Sequence, residues 1–175
     1  MLFSDRSILT MVHGLVFGGG ALLVLAAALY ALCVLPGDGA RVSAAQSRSL
    51  SRLLLFGAVL TWCAVLGGTY LVFPPYRTTP PEGATDLSRY PRSFLLGNPD
   101  TAWLHAFAME EKEHVPWVAA MLATAAAFVS VRYRAVFAND RSLRRMVTVL
   151  VTVGFVLVGW TALLGTFINK VAPLE

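Results

Sequence analysis

The residues in this chain equipped for chemistry are three histidines, a methionine and a short run of charges. His13 stands alone in an uncharged stretch, while His105, Met109, Glu110, Glu111, Lys112, Glu113 and His114 fall within ten consecutive positions. Imidazole, thioether and carboxylate groups are the ligands that haem iron, copper and non-haem iron accept. Two such side chains on facing helices can hold one b-type haem between them. The pair expected here is His13 with His105 or Met109, or with His114 if that helix is rotated. Copper would draw on His13, His105 and Met109, since imidazole and thioether suit it. The full set of metal-ligating candidates is His13, His105, Met109, Glu110, Glu113 and His114. Glu111 and His114 also have the Glu-x-x-His spacing of di-iron bundles. A di-iron centre needs two such motifs and two further carboxylates, and no other apolar run supplies them.

These residues interrupt an apolar chain. Of 175 residues 57% are hydrophobic and 14% charged, against about 25% charged in an ordinary soluble domain. Mean hydropathy is +0.65. This balance excludes a disordered chain, a nucleic-acid-binding domain and most soluble enzymes. Uncharged runs cover residues 8–35, 53–73, 115–131 and 146–168, which are 28, 21, 17 and 23 residues long. A helix crossing a bilayer needs about 20 apolar residues. The runs are continuous rather than alternating, which favours helices over a barrel.

The expected architecture is an all-α, integral membrane four-helix bundle forming one domain. Its helices should cover about 8–35, 52–73, 101–131 and 145–169. The first run, at 28 residues, is longer than the apolar core of a signal peptide, about 7 to 15 residues. It reads as an uncleaved helix. Eight arginines lie in or at the edges of the loops expected at 36–51 and 132–144 (Arg41, Arg48, Arg52, Arg132, Arg134, Arg141, Arg144 and Arg145), and five basic residues lie on the other side. By the positive-inside rule the arginine-rich loops face the cytoplasm. Both termini and the loop at 74–100 then face outward, into the periplasm, with the chain in a cell inner membrane. The net charge of +4 is thus a topology signal, and no nucleic-acid partner is expected. Proline pairs in the outward loop suggest a stiff, extended path.

On a helical wheel, His105, Met109, Lys112, Glu113 and Pro116 share a face with Ala120, Ala123 and Ala127. Small faces pack inward in membranes, so that face should meet the bundle. His13 shares the small side of its own helix with Gly20, Ala27, Ala28 and Ala31. Counted from the cytoplasmic ends, His13 and Met109 both lie about 33 Å up at 1.5 Å per residue. All three histidines therefore fall in one outward layer, which leaves room for one haem at most.

Three functions follow as expectations. The first is a membrane electron-transfer protein or subunit holding haem b, or iron or copper, near the outer leaflet. In architecture alone such a bundle resembles the small membrane cytochromes that exchange electrons with quinones. A quinone is accordingly among the expected partners, with Lys112, Glu113 or Arg77 binding propionates or handling protons. The second is a cofactor-free accessory subunit, docked to a membrane-protein partner or a second copy, with Trp103, Trp117, Tyr70 and Tyr76 as interfacial anchors. The third is a periplasm-facing copper-binding protein. Hydrolytic chemistry is disfavoured, because the chain has no HExxH, nucleophile or phosphate-loop motif.

Overall fold

The computed structural model describes residues 4–35, 42–137 and 139–173, and among them the chain is helical with no strand. The helices in chain order are α1 (Asp5–Cys33), α2 (Ala44–Tyr76), α3 (Pro91–Leu96), α4 (Pro99–Arg132), α5 (Arg134–Phe137) and α6 (Arg141–Val171). α1, α2, α4 and α6 are long and apolar enough to cross a membrane, with 29, 33, 34 and 31 residues. At 1.5 Å per residue each is about 44 to 51 Å long. That exceeds a hydrocarbon core of about 30 Å, so each carries polar turns past its apolar run.

Those polar turns correct the expected boundaries. α2 begins at Ala44 rather than near 52, because Ser43 and Gln46 form a reciprocal capping box. Ser43 Oγ accepts the Gln46 amide while Gln46 Oε1 accepts the Ser43 amide. Such a cap satisfies donors left open in the first turn, so the helix can start in polar sequence that hydropathy reads as loop. Asp140 does the same for α6, accepting the Leu143 amide at 3.0 Å. Arg41 and the rest of 36–41 lie outside the described residues. The loop expected at 74–100 is also not simply extended. α2 continues through Pro74 and Pro75 to Tyr76, and α3 turns Leu95 fully inward at 0% exposure. Between them the chain turns at Gly83, whose φ is +79°, and at Asp86. The Asp86 carboxylate accepts the Ser88 amide at 3.0 Å, which holds it below the usual carboxylate range.

The four long helices pack in chain order, α1 on α2, α2 on α4 and α4 on α6, and α6 returns to α1. Alanines make the close contacts: Ala21 and Ala28 of α1 and Ala119, Ala120 and Ala126 of α4 have no exposed surface. Small side chains bring helix axes together so that dispersion and polar contacts add. Ser51 Oγ donates to the Ser130 carbonyl at 2.8 Å and Ser47 Oγ to the Arg134 carbonyl at 2.9 Å. These two bonds tie α2 to the end of α4 and the start of α5. Gly14 and Gly18 are not at a helix contact. A Cβ on Gly14 would meet nothing within 4 Å, and one on Gly18 would meet only the His13 carbonyl of its own helix.

The core is split. One apolar cluster runs from the arginine-rich end through Leu25, Leu54, Ala123, Val147 and Val158. The other, at the end carrying the termini, contains Tyr76, Leu95, Leu104, Ala108, Met109, Leu164 and Ile168. The candidate site lies where the first gives way to the second.

Candidate functional site

Three of the four long helices widen into π-helical turns at this level: Val12–Gly19 in α1, Gly68–Val72 in α2 and Leu104–Met109 in α4. His13 and His105 stand within two of them. A π turn takes up an extra residue and rotates the following segment by about 100° relative to a continuous α-helix. Such turns mark functional positions often enough to be a physical pointer. Here they re-aim both histidines, which a regular helical wheel places less accurately.

His13 lies across the groove to α2 with its ring edge against Gly68. A Cβ built on Gly68 would fall 2.7 Å from His13 Cε1 and within 3.4 Å of both ring nitrogens. No side chain larger than hydrogen fits there with the ring in place. The backbone carbonyl facing the ring is that of Ala64. His13 Nδ1 is buried and has no hydrogen-bond partner, a state a buried polar atom rarely tolerates.

Lys112 repeats the arrangement between α4 and α6. Its ammonium lies in a notch at Gly165, where a Cβ would fall 2.7 Å from Nζ. Nζ donates to the Thr161 carbonyl at a long 3.4 Å. The residue as a whole is half-buried, with its ammonium set into this notch. This ammonium is within electrostatic reach of His13. One interior layer therefore holds a lysine with spare donors and a histidine with an open ring nitrogen.

His105 is a different case, because both its ring nitrogens are engaged. Nδ1 is 2.9 Å from the Tyr76 hydroxyl, and Arg92 Nε donates to Nε2 at 3.3 Å. Arginine cannot accept, so Nε2 must offer its lone pair and Nδ1 must carry the proton. His105 thus donates to Tyr76 and is uncharged in this arrangement. Tyr76, expected as an interfacial anchor, is instead buried at 2% exposure. Around this trio Arg77, Glu110 and Glu113 are within electrostatic reach, and Arg77 stacks over Phe73 at 5.2 Å. The result is a charged cap over the second apolar cluster.

The remaining candidates fall elsewhere. Met109 is buried at 7% exposure among Leu104, Ala108 and Leu164. His114 is exposed, and its Nδ1 donates to the Glu110 backbone carbonyl at 2.8 Å. Among the described residues no group of three or more His, Cys, Asp and Glu side chains is placed to hold a metal ion. Cys33 and Cys63 are free thiols.

The sequence pattern placed Lys112 on the inward face as a group for propionates or protons rather than a ligand, and it passed over Gly68, Gly165, Thr161 and Arg92. A glycine inside a long apolar helix was the available signal for both notches. Comparison with protein families, with characterised proteins and with solved structures finds no match to this chain.

Proposed function

We propose that the protein is an inner-membrane electron-transfer subunit that works with a quinone, bound at the His13–Lys112 layer. Both termini face the periplasm and the arginine-rich loops face the cytoplasm. The observations that carry this reading are His13 Nδ1, buried without a partner, and the Lys112 ammonium, set at Gly165 with one long bond to the Thr161 carbonyl. A lysine at membrane depth costs about 2.5 to 3.5 kcal/mol on insertion scales. A ligand with acceptor oxygens offsets that cost by taking up the spare donors.

The chemistry of the layer favours quinone oxygens over a metal or haem. A cation beside His13 opposes a second cation on its ring nitrogen, but it favours a carbonyl oxygen that gains negative charge on reduction. A haem needs a second axial ligand, and His105 is committed through Nδ1 and Nε2 to Tyr76 and Arg92. In the quinone reading Lys112 donates to one carbonyl oxygen, and His13 Nδ1, whose ring proton faces the Ala64 carbonyl from the other nitrogen, accepts from a quinol hydroxyl beside it. Tyr76, His105 and Glu113 lie toward the terminal end, on the side from which protons reach the layer. The cofactor-free accessory subunit is the competing reading, and the satisfied state of His105 and His114 favours it.

The test is composition. Protein purified gently from its native membrane is extracted with organic solvent for quinones, scanned for a Soret band and analysed for iron and copper. The reading expects near-stoichiometric quinone without a Soret band. A stoichiometric Soret band or metal content overturns it in favour of haem or metal, and absence of all three supports the accessory subunit.

A further inference from the structure

The opposite end of the bundle carries a second concentration of unbalanced charge, independent of the His13 layer. Arg48 and Arg52 are one turn apart on α2, so they share a face. The Ser47–Arg134 and Ser51–Ser130 bonds, at 2.9 and 2.8 Å, lock that stretch of α2 against the end of α4 and the start of α5. Arg132 and Arg134 therefore lie at the same level of the bundle as Arg48 and Arg52, and all four side chains are exposed. Arg132 also stacks over the Tyr133 ring at 5.6 Å. The only carboxylate at this end among the described residues is Asp140, and it is occupied in capping α6.

We propose that this joint binds the phosphate of an anionic phospholipid. Guanidinium forks match phosphate oxygens in geometry and charge. The four arginines stand where two long apolar helices end, which is headgroup depth for a chain in a bilayer. Among the described residues no carboxylate pairs with Arg48 or Arg52, and a phosphate between the helices relieves their mutual repulsion directly. Tyr133 at the same level is the amphipathic ring expected at a headgroup boundary.

The experiment uses the full chain in a neutral detergent, titrated with short-chain phosphatidylglycerol, phosphatidylcholine or inorganic phosphate, with thermal midpoint and native mass spectrometry as readouts. Phosphatidylglycerol should bind about tenfold or more tightly than phosphatidylcholine. It should raise the midpoint, and lose its advantage in high salt. The variant R48Q/R52Q/R132Q/R134Q should lose the preference, while a variant at the other end, R6Q/R89Q, should keep it. Equal binding of the two lipids by the unaltered protein overturns the proposal, and that comparison needs no variant to fold. It is equally overturned if inorganic phosphate binds as tightly as phosphatidylglycerol, or if the quadruple variant keeps its preference.

Discussion

A hydrogen is the largest group that position 68 can carry while His13 keeps its place: a Cβ on Gly68 would stand 2.7 Å from His13 Cε1. The imidazole is rigid and its Nδ1 is sealed from solvent, so the contact cannot be relieved by a flexible tip. Gly68→Ala should therefore destabilise the protein by about 1 to 3 kcal/mol, the usual cost of overpacking. Gly14→Ala is the control. Its Cβ would meet nothing within 4 Å, and alanine favours a helix over glycine by about 1 kcal/mol. Thermal midpoints in detergent should fall for the first variant and hold or rise for the second.

The Gly165 notch makes a different prediction, because the atom it admits is the end of a flexible chain. Gly165→Ala should displace the Lys112 ammonium from the Thr161 carbonyl with a stability change below about 1 kcal/mol. Lys112→Met keeps the stem and removes the charge. Since a charge at membrane depth is costly by about 2.5 to 3.5 kcal/mol, this variant should be at least as stable as the parent. A marked fall in its thermal midpoint would mean that the ammonium has a structural partner.

Tyr76→Phe removes the oxygen that accepts from His105 Nδ1 at 2.9 Å and keeps the ring stacked on Phe73. Leaving that donor unmet should cost about 1 kcal/mol or somewhat more. The effect should be local, because Arg92 joins α3 to the same histidine. Trypsin should then cut after Arg89 and Arg92 faster than in the parent, with the four long helices intact.

The topology is testable without any ligand. Reporters fused at the N-terminus and after Ala172 should both be active on the periplasmic side, and a reporter near Asp140 should be active in the cytoplasm. One terminus on each side would contradict the positive-inside reading.

Much of the architecture was legible from residue pattern. Four apolar runs became four long helices. The small face of α4 is buried at Ala120, Ala123 and Ala127, and Trp103, Phe107, Met121 and Phe128 are exposed. The site was less legible, for physical reasons. No residue type announces a π turn, and three of them rotate the segments carrying His13, Gly68 and His105. A notch needs two helices in register, so Gly165 acquires meaning only once α6 lies against Lys112. The His105 arrangement joins residues 29 and 13 positions away, both of them in a loop expected to run extended. Helix ends were misplaced because capping by Ser43 and Asp140 is local hydrogen bonding, to which hydropathy is blind.

The most direct test of the central reading is the dissociation constant of a short-chain quinone analogue for the purified protein and three variants. A hydrogen bond from a charged donor is worth about 1.5 to 3 kcal/mol, so Lys112→Met should weaken binding by about tenfold or more. His13→Ala should weaken it measurably, and Gly14→Ala should leave it unchanged. Equal affinity in the parent, His13→Ala and Lys112→Met, or no saturable binding by the parent, would contradict a quinone site in this layer.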